Sequence, residues 1–488
     1  MEEAYFIGID LGTQGLRVVI LDTKGILVSS AEQAFLLSPQ MRQEQDPDAW
    51  WQHCHNCLKK AIRCLSGEQR KRVTAITVDS TSGTVIPVDA DCRPLHPAIM
   101  YSDQRSAEQA KKCTVLARRH IKQGFTGFST STGLAKMVWF IETYPEKAAK
   151  IFQWIHAADF ITGKLSGIWN VTDYTNVLKS GYDLAHLCWP DYISDALGIK
   201  KKWLQEVRPS GTVIGTLSGD LAKTLGLPDT VAVTTGITDG CASQVASGAM
   251  KPGQWNTTIG TTMVIKGVTV REVVDPLERL YNHRHPAGYW MPGGAGNIGA
   301  DWVSAGFKED LEHYNQAASS LTPTGRIAYP LIQKGERFPF AAPQAEGFAP
   351  GEVSRELLYT ANMEGVAFAE RYAYELIQSL SGEAVEAIYT AGGASNSICW
   401  LQIRSDVLQK PVCKMKYVSG AVGAAIVAAS NTCFKDITAA TAALTQTERW
   451  ITPRIVFKQQ YEDQYHLFLE TMKERKFIND AQGADAGF

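Results

Sequence analysis

Three short stretches hold residues suited to a phosphate, a metal ion or a flat ring. The first is Asp10-Leu11-Gly12-Thr13-Gln14-Gly15. Its glycines permit positive φ and let bare backbone approach a ligand. Backbone N–H groups in such a turn can face a phosphate, and Asp10 is placed to orient Mg²⁺ directly or through water. The second begins at Gly236-Ile237-Thr238-Asp239-Gly240 and continues through Gly260-Thr261-Thr262. The third, Gly392-Gly393-Ala394-Ser395-Asn396, offers a double glycine to a ring or a phosphate. Taken singly, the first two stretches also suit ordinary glycine turns with Asp10 and Asp239 as turn residues, and the third a tight strand-to-helix turn. The first is not a Walker loop, because no Gly-Lys-Ser/Thr follows.

The elements around these stretches are legible from periodicity. Tyr5–Ile9 is a short apolar run that reads as a buried strand, and Leu16–Ile20 resumes after the turn, so the opening is a hairpin within a strand meander over 5–37. Asp46 and Pro47 start a helix that runs to about Leu65. Residues 73–79 form a buried strand ending on Asp79. Ser80–Gly83 make a polar turn, and Thr84–Val88 is the return strand. Residues 104–122 and 135–150 read as helices, and 165–167 and 172–176 as loops. Residues 230–235 and 255–260 read as strands, with Met263–Val268 returning from the second Gly-Thr turn. Ile388 and Tyr389 form a strand ahead of the double glycine, and Trp400, Ile403 and Val407 follow at helical spacing. Residues 419–430 form a small-residue helix, about 454–476 a charged amphipathic helix, and 477–488 a frayed tail. Each half thus carries an apolar strand, an acidic residue and a Gly/Thr turn, a faint repeat that suggests two similar α/β domains facing a cleft.

Composition narrows the function classes. A chain of 488 residues suffices for two or three domains. A net charge of −2 gives no electrostatic case for nucleic acid or an anionic membrane, and apolar runs such as 421–429 are too short to span a bilayer. Met-Glu-Glu-Ala leads straight into the first strand without a signal-peptide pattern. With ten cysteines in so long a chain the expectation is reduced thiols and a cytoplasmic protein. His53-Cys54-His55-Asn56-Cys57 resembles a metal motif. However, Trp50, Cys54, Cys57, Ala61 and Cys64 recur at helical spacing as one buried face.

Four separated segments together resemble the FGGY family of carbohydrate kinases: Ile7–Arg17, Gly236–Gly240 through Ile259–Thr262, Gly335–Pro339, and Thr390–Val412. Smaller matches are Asp46-Pro47 with Trp50-Trp51, Tyr101–Arg105, Thr172–Tyr174 and Glu364–Phe368. The resemblance implies two actin-like ATPase (ribonuclease H-like) domains around a central cleft, about 1–245 for sugar and phosphate and 246–450 for nucleotide, followed by a C-terminal helix and tail. It implies transfer of a phosphoryl group from ATP to a sugar or polyol hydroxyl, with Asp239 as catalytic base and sugar contact. Asp10 would order Mg²⁺. Thr13, Gln14, Arg17, Gly260, Thr261 and Thr262 would hold the phosphates, and Gly392, Gly393, Ala394 and Asn396 the adenosine. Asp239 is flanked by Thr238 and Gly240, so little bulk crowds a carboxylate that must take a hydroxyl proton.

The substrate turn departs from two patterns of the family. Where glycerol kinases carry Arg-Glu and many xylulose kinases Met-His, this chain has Ser82-Gly83. The run Val78–Thr84 is more similar to the Asp-Gly-Thr-Ser turn of D-ribulose kinases, as is Tyr101–Arg105. Ser82, Gly83 and Asp103 are therefore expected substrate residues, although Ser82 also suits a plain turn and Asp103 a structural pair with Arg105. The expectation is a ketopentose kinase, D-ribulose before D-xylulose. Other readings are a kinase of gluconate, erythritol, glycerol or a related compound, or a non-catalytic sugar or nucleotide sensor on the same fold. A homodimer is left open by the sequence.

Overall fold

The computed structural model describes residues 2–36, 38–121 and 127–478. The chain forms two compact α/β units. The first spans Met1–Gly248, His283–Gly288 and Tyr417–Thr445; the second spans Ala249–Asn282, Tyr289–Lys416 and Gln446–Phe488.

In the first unit the opening hairpin pairs Tyr5–Leu11 antiparallel with Gly15–Asp22, which pairs in turn with Leu27–Ala34. On its other side Tyr5–Leu11 runs parallel to Val73–Ser80, which is flanked by Ala232–Thr234 and Ile237–Thr238, both also parallel. Strand alternation then sorts the side chains. Tyr5, Ile7, Ile9 and Leu11 enter a core shared with Trp50, Leu58, Phe160 and Ile161 of the helices Pro47–Arg63 and Ala157–Ser166. Phe6, Gly8 and Asp10 belong to the opposite face. That face meets the helix Gly420–Ala429 so closely that a Cβ on Gly8 would lie 1.9 Å from the Ala421 carbonyl oxygen. The expected small-residue helix is present. It belongs to the first unit, although the sequence reading groups residues 417–445 with the second domain. Its Gly and Ala side chains allow that approach, and Gly423 meets the Ala242 backbone in the same way.

The second unit repeats the arrangement. Gln254–Ile259 and Met263–Gly267 form an antiparallel hairpin, and Gln254–Ile259 runs parallel to Ala387–Ala391, itself parallel to Val412–Met415. Beneath them the helix Arg355–Ser381 is buried along most of its length. Arg404 is fully buried and held through Nε and Nη2 by Glu370, each bond 2.7 Å.

Several expected elements differ. Val85–Val88 does not return along Val73–Ser80. It pairs with Gln153–His156 and, through Val85, with Ala98–Ile99 in a separate sheet. Gly83, at φ +84°, turns the chain there under the Ser131 carbonyl. Residues 172–176 are not a loop but the end of the strand Val171–Asp173 and the start of the helix Tyr174–Val177, because the Asp173 side chain caps that helix. The expected 135–150 helix breaks before Pro145 into Gly133–Thr143 and Pro145–Ala148. Cys54 and Cys57 are buried as expected, but Cys64 is exposed as the residue that ends its helix. Phe477 and Ile478 are buried rather than frayed. Residue 122 of the 104–122 helix, Leu37 of the opening meander and 479–488 of the tail lie outside the described residues.

Gly8→Ala is expected to destabilise the first unit by about 3 kcal/mol, because a methyl group must displace helix backbone rather than a flexible side chain. Urea titration is the check; an unchanged midpoint would refute the close contact.

Candidate functional site

The parallel strands of the first sheet bring three acidic residues to one end. Asp10 is directly paired with Asp79, and Asp79 with Ile237, two residues before Asp239. Asp239 itself is the first residue of the helix Asp239–Ala246 and is exposed. Asp79 is completely buried, and its carboxyl oxygens meet no donor apart from the neighbouring Asp10 carboxyl when one of the two holds a proton. The helix Gly420–Ala429 starts against this pair. A Cβ on Gly420 would lie 2.8 Å from Asp79 Oδ1 and 3.1 Å from Asp10 Oδ2, so only glycine lets the helix start sit there. The positive end of a helix favours negative charge beside it.

Crowded acids in a poorly hydrated place hold their protons more tightly. Burial, then the Asp239 charge, pushes Asp10 up to about 6, against the pull of Arg17. Burial first, then Asp10 and Asp239, raises Asp79 well above the ordinary carboxylate range. The folded state therefore favours protonated Asp10 more than the unfolded chain does. This contribution disfavours folding progressively as pH rises from the ordinary aspartate range to about 6, and fully above that. In ligand-free protein at about pH 7.5, Asp10→Asn is expected to raise the thermal midpoint by roughly 2–4 °C. The gain should vanish near pH 4, and turnover should be lost. Differential scanning calorimetry at both pH values checks the sign; a lower midpoint at the higher pH would contradict it.

Next to this sheet end lies the turn Ser82-Gly83. Ser82 is half-buried. A Cβ on Gly83 would meet the Ser131 carbonyl at 2.3 Å and the Lys179 side chain at 3.0 Å. Asp103 is buried and bonded by Arg105 through Nε at 2.9 Å, while Arg105 also reaches Glu44 and lies over the Trp139 ring. Lys136, fully buried, donates to the Thr130 and Tyr101 carbonyls; burial pulls it down to about 7 despite the Asp103 charge.

The phosphate candidates divide by unit. In the first, Gly12 N–H closes the turn on the Gly15 carbonyl at 2.9 Å. Thr13 is half-buried, Gln14 is exposed, and exposed Arg17 pairs with Glu32 at 2.7 Å. In the second, Gly260 N–H bonds the Thr262 carbonyl, and Thr261 is exposed. Gly392, at φ +86°, packs against the Ile259 carbonyl, where a Cβ would lie 2.4 Å away. Gly260–Thr262 and Gly392–Asn396 are thereby brought together. Gly393 has open space around its Cβ position, Ala394 is buried and Asn396 exposed.

Asp79, Asp173 and Thr175 are absent from the sequence-based site. Asp79 carries the same signal as Asp10, an acid ending an apolar run. Asp173 is buried and takes hydrogen bonds from Thr175, Asn176 and Ser210. Burial raises its proton affinity while the Thr175 and Asn176 donors lower it. No run of sequence announces that convergence. Among the described residues no group of three or more His, Cys, Asp or Glu side chains is arranged to hold a metal ion. No helix among the described residues is long and apolar enough to cross a membrane.

Residues 5–246 match the model of the FGGY family of carbohydrate kinases, N-terminal domain, and residues 265–432 that of the C-terminal domain. The chain is 24% identical to a xylulose kinase of Bacillus subtilis, covering 98% of both chains. It is 24% identical to a gluconokinase of Bacillus licheniformis, covering 87% of this chain and 86% of that one. The structure superposes on a xylulose kinase from Rhodospirillum rubrum with a TM-score of 0.84 at 25% identity, covering 96% and 98%. The two α/β domains are of the actin-like ATPase type that such kinases share. The chain belongs to the FGGY family of carbohydrate kinases and is a sugar phosphotransferase.

Proposed function

We propose that this enzyme phosphorylates a ketopentose, D-ribulose or D-xylulose, with ATP as donor and Asp239 as general base. The observation that carries the mechanism is the strand register, which delivers an exposed Asp239 beside half-buried Asp10 and buried Asp79. An exposed carboxylate at the start of a helix is open to a substrate hydroxyl and can take its proton as the phosphoryl group transfers. Ser82 and the Gly83 turn supply a small, polar wall for a short sugar. The xylulose kinase relatives support a pentulose, and the gluconokinase relative marks the aldonates as the competing class.

Asp10 fits a hard cation. It has a partly reachable carboxylate, and the oxygens of Asp79 behind it meet no donor other than Asp10 itself. Mg²⁺ commonly takes one or two carboxylates plus phosphate oxygens and water, so a larger cage of acids is not required. When bound, the ion would neutralise charge on the nucleotide phosphates. Thr13 and Gln14 in the first unit, and Gly260, Thr261 and Thr262 in the second, are each candidate hydrogen-bond donors to phosphate oxygens. Arg17 would contribute positive charge, and Gly392, Gly393, Ala394 and Asn396 would hold the adenosine.

Coupled ADP-release assays over pentuloses, polyols and aldonates test the substrate. The highest kcat/KM is expected on D-ribulose or D-xylulose, and a preference for an aldonate would overturn the pentulose reading. Asp239→Asn is expected to lower kcat about a hundredfold or more while leaving ADP affinity near that of the parent. Unchanged turnover would remove Asp239 from the mechanism.

A further inference from the structure

The position of Asp239 is set from two sides. On one side Ile237 and Thr238 pair with Asp79 and Ser80, and Gly236 runs so close that a Cβ would lie 2.6 Å from the Val78 carbonyl. On the other side stands Thr175, fully buried, whose hydroxyl oxygen accepts the Thr238 N–H at 2.8 Å. Thr238 is the residue from which the helix Asp239–Ala246 starts, and its own side chain makes no capping bond. The Thr175 hydroxyl therefore holds the backbone one residue ahead of the base.

What fixes that hydroxyl is Asp173. Thr175 donates its only hydroxyl proton to Asp173 Oδ1 at 2.6 Å, so its lone pairs are left for the Thr238 N–H. The same oxygen accepts the backbone N–H of Thr175 at 2.7 Å and of Asn176 at 3.3 Å, and the Ser210 hydroxyl at 3.0 Å. The Asn176 side-chain amide donates to the other oxygen, Oδ2. With donors arriving at both oxygens, Asp173 acts as an acceptor only, which gives the relay one direction. Asp173, Thr175 and Asn176 are each 0% exposed and Ser210 1%. Water does not compete with the relay, and these residues do not reach a ligand.

We propose that Asp173 and Thr175 are positioning residues for phosphoryl transfer, holding the Thr238 backbone so that the Asp239 carboxylate meets the sugar hydroxyl. The proposal rests on Asp239 being the base. A misplacement of about 1 Å at a reacting group is enough to cost on the order of a hundredfold in rate.

The test compares Thr175→Val, Thr175→Ser, Asp173→Asn and Asp239→Asn in the full-length enzyme, with kcat, sugar KM, ADP affinity and thermal midpoint measured for each. Thr175→Val removes the hydroxyl at nearly constant shape. It is expected to lower kcat about tenfold or more while KM and ADP affinity stay within about twofold. Thr175→Ser keeps the hydroxyl and should restore kcat to within about threefold of the parent. Placed on Asp239→Asn, Thr175→Val should cost nothing further, since groups acting through one another are not additive. Parental kcat in Thr175→Val, failure of serine to rescue, or a full additional loss in the double variant overturns the relay. If Thr175→Val does not fold, Asp173→Asn carries the test, with the same kcat loss expected and parental kcat refuting it. Full turnover by Asp239→Asn overturns the base and the relay together. An inert Asp239→Asn beside a fully active Thr175→Val overturns the relay alone.

Discussion

Like charges resist being gathered where water is scarce, and the first sheet gathers three. Asp10 and Asp79 stand side by side on neighbouring parallel strands, and Asp239 begins a helix just beyond a third. A parallel register leaves no freedom to slide one of them away without turning every side chain of its strand to the wrong face. The sheet therefore holds the acids together at the expense of raised proton affinities in Asp10 and Asp79. Such a cluster is a poor stabiliser of the fold and a good receiver of positive charge or of a proton. The start of the Gly420–Ala429 helix offsets part of the repulsion by placing its backbone N–H end against two of the carboxyls.

That placement requires a helix with only glycine and alanine at its closest contacts. Gly420, Gly423 and the alanines between and after them let helix backbone touch strand backbone at Gly8 and helix backbone at Ala242. Elsewhere the same economy serves turns. Gly83 and Gly392 adopt positive φ under a carbonyl oxygen, and any side chain at either would strike backbone rather than solvent. In both units the antiparallel hairpin followed by a parallel strand is one solution used twice.

What was legible in the sequence was local. Apolar runs ending in Asp or Gly marked the two hairpins and the strand before the double glycine. Asp46-Pro47 marked a helix start that the Asp46 side chain caps. What was not legible depended on contacts between residues far apart. Val85–Val88 has the pattern of a return strand, yet its partners are residues 98–99 and 153–156. Residues 172–176 look like a loop because they are mostly polar, yet Thr172 bonds His156, and Thr175 bonds Asp173 and the Thr238 N–H, more than sixty residues on. Asp79 showed the same signal as Asp10, but its pairing with Asp10 is visible only once the register is known. The small-residue helix was read correctly as an element, while its place in the first unit came from a steric fit that periodicity does not encode.

That late helix sets an order of events at the ribosome. Most of the first unit is made before residue 249, but the segment 417–445 that covers one face of its sheet emerges only after residues 249–282 and 289–416 of the second unit have been translated. Until then Phe6, which packs on Phe434 in the finished protein, has no partner ring, and the two adjacent acids of the sheet end stand uncovered by helix. A nascent chain that ends at residue 416 thus holds a first unit open on the face that this helix covers. Closure of that unit waits on the stretch of the other that precedes residue 417, and a product that stops before that point lacks the very backbone that shelters its carboxylates.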